Sequence, residues 1–286
     1  MKKISRFLAA MTACLMLTAL FGCGNKEKEL PEVVLRGLPE EAVTSNIVVS
    51  GFAIDIYRTY ACVTGYEGDA VDLGIPPFAV GVAVKKIGDS AFKDNEKIES
   101  VVLPEGIVII GKNAFDGCKK LKKAVLNDGL ETVGDYAFRN SGIEECVLPD
   151  SVGQLCKYCF YGCAGLKGTL HIPANLSEPD KYAFYGCSSL TGIEFSPRLS
   201  RISEKMFSGC SGLVSVDIPK SVKRIDEYAF SNCASLSSVT LTEGTVKFGE
   251  GIFVGCPSVT VTVPDGSEAA KYTAKNNYKT EITVGK

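Results

Sequence analysis

Ile202-Ser203-Glu204-Lys205-Met206-Phe207-Ser208-Gly209-Cys210-Ser211-Gly212-Leu213-Val214-Ser215-Val216-Asp217-Ile218-Pro219 is the stretch on which the fold turns. Its phenylalanine recurs at Phe92, Phe115, Phe138, Phe160, Phe184, Phe207, Phe230 and Phe253, in steps of 22 to 24 residues. A period of that length marks a solenoid. Each unit is too short to bury its own apolar face, so units must stack on one another.

The positions around each phenylalanine repeat as well. Five residues earlier stands Ile87, Ile110, Val133, Leu155, Pro179, Ile202, Ile225 or Phe248. Alanine usually comes directly before, and six residues later an aliphatic side chain opens a stretch such as Leu213-x-x-Val216-x-Ile218, closed by Pro219. Alternation predicts a short strand, and proline, which cannot donate to a ladder, ends it. A glycine turn and a short helical or 3₁₀ turn carrying the Ala-Phe pair complete the unit. The expected fold is α/β leaning to β: a solenoid with a parallel sheet on a concave face and short turns on the other side. Inward Leu, Val and Ile form one wall of its core and the Phe column the other.

The repeat resembles the BspA-type leucine-rich repeat family, whose unit reads approximately C-x-x-L-x-x-V-x-L-P-x-x-V-x-x-I-G-x-x-A-F-x-x-C. The resemblance covers about residues 60–280. Pro179 in place of Ile, Met206 and Ile252 in place of Ala, and irregular spacing over 163–184 depart from it. The resemblance implies display outside a bacterial cell, adhesion or ligand binding, and no catalytic residues.

Composition, with 45% hydrophobic and 22% charged residues, is that of a globular chain. Lys2, Lys3 and Arg6 precede an apolar run from Leu8 to Phe21, shorter than the about 20 residues of a spanning helix. The run ends Leu20-Phe21-Gly22-Cys23, which resembles a bacterial lipobox and implies a diacylglyceryl group on Cys23. An ordinary cleaved signal and an uncleaved anchor are the alternatives. Cleavage before Cys23 removes three basic residues and takes the formal net charge from −2 to −5. No basic stripe remains for a phosphate backbone, which argues against nucleic acid. The expected organisation is a signal peptide at 1–22, a lipidated cysteine and polar tether at 23–46, and an N-terminal β cap at 47–86. Eight repeats follow at 87–264, then a C-terminal cap helix at 265–286 with Ser267 at its N-cap.

Outward strand positions supply the first candidate site, a concave binding face. They are Ser100, Val102, Lys123, Val125, Glu145, Val147, Thr169 and His171, then Glu194, Ser215, Asp217, Ser238 and Thr240. Outward β positions accept Val, Thr and Ser without any ligand, so the pattern has a bland reading too. A second candidate is the aromatic set Tyr158, Tyr161, Tyr182 and Tyr185, which either forms a recognition surface or roofs the Phe column. Cys118, Cys163, Cys187, Cys210, Cys233 and Cys256 stand three residues after the phenylalanine and stack as a ladder of buried thiols. Cys156, Cys159 and Cys163, with Cys146 nearby, have metal-like spacing, but the repeat explains each separately. His171, the only histidine, lacks a nucleophile partner. The sequence therefore points to non-catalytic binding of a protein or glycan at the cell surface, without cofactor. A structural envelope role is the alternative, and a metal or enzymatic role a more distant one.

Overall fold

The computed structural model describes residues 42–245 and 247–283; the expected signal peptide at 1–22, Cys23 and residues 24–41 lie outside them. Two series of parallel strands run through the described repeats. The first holds the strand read from the sequence: β4 (Asp72–Gly74), β7 (Ser100–Val102), β9 (Lys123–Val125) and β11 (Glu145–Cys146), then β13 (Gly168–His171) with β14 (Leu190–Glu194). It continues with β16 (Ser215–Ile218), β18 (Ser238–Leu241), β20 (Thr260–Pro264) and β21 (Lys279–Thr283).

The second ladder was read from the sequence only as an extended connection. It joins β6 (Val82–Ile87), β8 (Ile109–Ile110), β10 (Thr132–Val133) and β12 (Gln154–Leu155), and then β15 (Arg201–Ile202), β17 (Arg224–Ile225) and β19 (Lys247–Phe248). These two-residue strands carry the apolar side chain five before each Phe. Ile87, Ile110, Val133, Ile202 and Ile225 are accordingly buried. The core therefore has three walls rather than two.

The third wall is the phenylalanine turn. It closes with 3₁₀-type bonds, as from Asp116 N to Asn113 O (3.1 Å) and Cys118 N to Phe115 O (3.3 Å). Alternate amides instead cross to the next turn: Phe115 N to Ala137 O (2.7 Å), Phe138 N to Cys159 O (2.7 Å), Phe160 N to Ala183 O (2.8 Å). The crossing requires left-handed backbone two residues before each Phe, where φ is near +55 to +61° at Asn113, Tyr136, Tyr158, Tyr182 and Tyr228. The eight rings stack along the axis at centroid spacings of 5.0 to 6.0 Å.

Unequal turn lengths interrupt the first ladder. Phe138 to Pro149 spans 11 residues, whereas Phe160 to Pro173 and Phe184 to Pro197 each span 13. The two long turns pair with each other, with a register shift at Gly168, while β11 and β13 belong to separate sheets. In the second ladder the break falls at Pro179. Asp180 N to Leu155 O (2.9 Å) bridges it on one side, and the Ser203 hydroxyl donates to Pro179 O on the other.

Upstream, β1 (Thr44–Val49), β2 (Phe52–Ile56) and β3 (Ala61–Tyr66) form an antiparallel meander, and β3 joins β6 in parallel. Downstream, α1 (Glu268–Lys275) begins at Ser267, whose side chain accepts from Ala270 N. Tyr272 of α1 stacks on Phe248 at 4.7 Å, and Tyr278 meets Phe253, the last ring of the column, edge-on at 5.5 Å.

Candidate binding surfaces

The outer face of the first ladder carries two in-register rows. One reads Ser100, Lys123 and Glu145, then Thr169, then Ser215 and Ser238. The other reads Val102 and Val125, with Val147 just past the end of β11, then His171 and Glu194, then Asp217 and Thr240. Thr260 and Thr262 extend the two rows on β20; the sequence reading stopped one strand short of them. Parallel pairing, in which identical positions lie side by side, turns a column of the repeat into a row on the surface.

The valines stand 47%, 41% and 77% exposed, an apolar row no internal packing requires. Beside them Lys123 and Glu145 approach to 3.6 Å, and Glu144 pairs with Lys122 (2.8 Å) and Lys167 (3.2 Å). Such exposed pairs contribute little stability and instead set local charge. His171 Nε2 lies 3.0 Å from Asp150 Oδ1, and its Nδ1 lies 3.6 Å from Glu194 Oε2. The imidazole, with the Ala174 amide, holds Asp150 below the usual carboxylate range. One half of the face thus carries an apolar row beside paired charges, and the other is polar and acidic.

On the turn face, the four candidate tyrosines gather as part of a larger set. Tyr136, Tyr158 and Tyr182 stack face to face at 4.9 and 4.7 Å, and Tyr161 stacks on Tyr185 at 4.7 Å. They are half-buried and pack against one another, each row tilted against its neighbour by 44 to 60°. Arg139 lies over the Tyr136 ring at 4.7 Å, its guanidinium held bidentately by the buried carboxylate of Asp116 at 2.6 and 2.9 Å. The Lys205 ammonium sits between the rings of Tyr182 (5.3 Å) and Tyr228 (5.5 Å) and donates to the Tyr182 hydroxyl at 3.2 Å. That bond raises the Lys205 pKa and keeps the amine charged. Tyr136 and Tyr228 stand two before a phenylalanine, as Tyr158 and Tyr182 do, and are legible from sequence as members of that set, whereas Arg139 and Lys205 are not. Their signal was the shared offset of two before, or one after, the phenylalanine.

A family model for the BspA type leucine rich repeat region, in six copies, matches residues 85–178 and 157–280. The chain belongs to the BspA-type leucine-rich repeat family. Among solved structures, a leucine-rich repeat protein of T. pallidum is 25% identical, covers 84% of this chain and all of its own, and superposes with a TM-score of 0.55. A leucine rich cell surface protein of Faecalibacterium prausnitzii (20% identity, 82% and 98% covered, TM-score 0.33) is also similar. So is the pneumococcal vaccine antigen PcpA (15%, 86% and 100%, 0.37). No curated protein matches the chain.

Membership accounts for the cysteines of this BspA-type chain. Each ladder thiol donates to the carbonyl of the preceding turn's phenylalanine: Cys118 to Phe92 (2.9 Å), Cys163 to Phe138 (3.0 Å), Cys187 to Phe160 (3.3 Å), Cys210 to Phe184 (3.3 Å). Ser141 holds the same position in the third turn, 3.4 Å from Cys163 Sγ, so the site takes a small donor. Burial pushes the Cys118, Cys163 and Cys210 thiols up to about 12. The ten described cysteines form no disulfide with one another. Cys159 and Cys163 point into the core, whereas Cys146 and Cys156 are partly exposed. Among the described residues no three His, Cys, Asp or Glu side chains converge as a metal site. The BspA-type fold is a protein-binding scaffold of non-enzymatic type.

Proposed function

We propose that this chain is a lipid-anchored surface protein that binds a protein partner, on a host or a neighbouring cell, through the outer face of its first ladder. The observation that carries the reading is the exposed row Val102, Val125 and Val147 beside the His171, Glu194 and Asp217 half. An apolar strip next to an acidic strip gives a partner both a desolvated centre and a charge register. The ladder is a broad row rather than a pocket, which suits a macromolecular ligand. Anchoring at Cys23 would leave the tether and solenoid outside the membrane.

The test is a binding screen of the purified chain against extracellular matrix proteins and a glycan array. Val125→Ser/Val147→Ser and Glu145→Lys/Asp217→Lys variants should abolish any hit while leaving thermal unfolding unchanged. Retention of binding by both refutes the strand face. A well-folded sample that binds nothing, yet co-purifies with envelope proteins of its own cell, shifts the assignment to a structural envelope role. Anchoring is tested separately: Cys23→Ala should lose incorporation of labelled palmitate and move the protein to the soluble fraction.

A further inference from the structure

The turn face carries a site of different chemistry. We propose that the tyrosine trough across the third to sixth turns binds an acidic glycan, one bearing carboxylate or sulfate groups. The proposal is independent of the strand-face reading, since the two surfaces share no residue.

The two tyrosine rows, Arg139, Asn140 and Lys205 line a cavity of about 460 Å³. Because the rings stack face to face, their faces are taken up by one another, by Arg139 and by Lys205, and the trough is walled by ring edges and hydroxyls. The edge of an aromatic ring is the positive part of its quadrupole. Arg139 is neutralised by Asp116, and the neighbouring Glu204 pairs with Lys181 at 3.5 Å; Lys205 has no ion pair of its own among the described residues, and meets Glu204 only through the Tyr182 hydroxyl, which accepts from Lys205 and donates to Glu204 at 3.1 Å. An ammonium without an ion pair of its own, positive ring edges and the phenol groups other than Tyr182 favour an anion, on a chain whose formal net charge is −2.

Three observations favour a glycan over an acidic peptide. Amides of these turns are committed to the next turn, as from Tyr158 to Lys181 O (3.3 Å), Phe160 to Ala183 O (2.8 Å) and Gly162 to Tyr185 O (2.7 Å), so this wall offers no free edge for strand addition. No aliphatic side chain lines the cavity to receive an apolar anchor residue. The rings repeat at centroid spacings of 4.7 to 4.9 Å, presenting a regular series of phenol groups to successive units of a polyhydroxylated polymer, with the Tyr182 hydroxyl already engaged by Glu204.

The full-length chain, in non-ionic detergent, is immobilised and titrated with four probes of matched length. They are a heparin-derived oligosaccharide, an oligogalacturonate, a malto-oligosaccharide and an oligoglutamate. Saturable binding of either acidic oligosaccharide, weakened by salt and absent for the neutral one, is expected. Lys205→Gln should weaken it about tenfold, in line with loss of one charge-assisted contact. Tyr161→Ala/Tyr185→Ala should abolish it, and Val125→Ser/Val147→Ser should leave it unchanged. Lys205 and the tyrosines are partly exposed, so the melting temperature of each variant reports whether the fold is kept. Sulfate against uronate specificity is read from the first two probes. Equal binding of the neutral sugar, binding of oligoglutamate alone, no binding at all, or full affinity in folded Lys205→Gln and tyrosine variants overturns the proposal.

Discussion

Alkylation of the thiol ladder tests the core directly. Cys118, Cys163 and Cys210 are buried, and burial lifts each from an ordinary 9.0 to about 12. Only the thiolate reacts with iodoacetamide. At pH 8 a thiol of pKa 9 is ionised to roughly one part in ten and one of pKa 12 to roughly one in ten thousand, so the rate falls about a thousandfold. Inaccessibility adds to this, because reaction must wait for a local opening. Cys156, at a partly exposed turn, should therefore be modified first. The assay is timed alkylation followed by peptide mass spectrometry, with and without denaturant. Labelling of the ladder thiols at the rate of Cys156, in a sample with native circular dichroism, would refute the buried column. The same shifts fix the sign of an alkaline effect. The folded state keeps its thiol protons after the unfolded chain has released them, so stability is full below pH 9 and is lost as pH climbs towards 12. Between pH 8 and pH 10 these three thiols together remove about 4 kcal/mol, a large part of a typical native margin. The urea midpoint should drop accordingly, and an unchanged midpoint contradicts the shifts.

Phe184→Ala should destabilise by about 3–5 kcal/mol, measured by urea titration followed by circular dichroism, because the fully buried ring is stacked on both sides, at 5.4 and 5.7 Å. Phe92→Ala, with its stacked neighbour Phe115 on one side, should cost about 1 kcal/mol less. Asp116→Asn should cost about 1.5–3 kcal/mol, because it removes two charge-assisted bonds from a buried acceptor, and should free Arg139 from the Tyr136 ring, seen as a changed tyrosine signal. Ser267→Ala removes the cap of α1 and should cost about 1 kcal/mol in the same titration.

The first ladder, the Phe column and the thiol ladder were legible because a repeat position that is inward in one turn is inward in all. Phe207, Cys210, Leu213, Val216 and Ile218 declared themselves by period alone. The second ladder was not, since two-residue strands such as Thr132–Val133 are too short for alternation to show. Neither was β21, whose Lys279–Thr283 run is largely exposed and joins the sheet only through its pairing with β20. The tyrosine trough was half legible. Tyr158, Tyr161, Tyr182 and Tyr185 were grouped by adjacency, but Arg139 and Lys205 share offsets with them and not chemistry, so periodicity in residue type passed them over.

The irregular centre shows which wall keeps the stack continuous. Both strand ladders break between the third and sixth turns, the first between β11 and β13, where turn lengths of 11 and 13 residues meet, and again between β14 and β16, the second at Pro179. The phenylalanine wall does not break there: Phe138, Phe160, Phe184 and Phe207 remain stacked at 5.0, 5.4 and 5.7 Å, and their amides still cross to Cys159, Ala183, Met206 and Ala229. A turn-to-turn amide bond needs only local left-handed backbone, set by residues two before the ring, and is indifferent to how many residues the opposite strand holds. A parallel ladder needs matched register, which one added residue destroys. The repeat can therefore vary its strand face while the ring column keeps successive turns in stacking contact without a break. That division also explains why the tyrosine trough spans the seam: it is built on the one wall that crosses it without interruption.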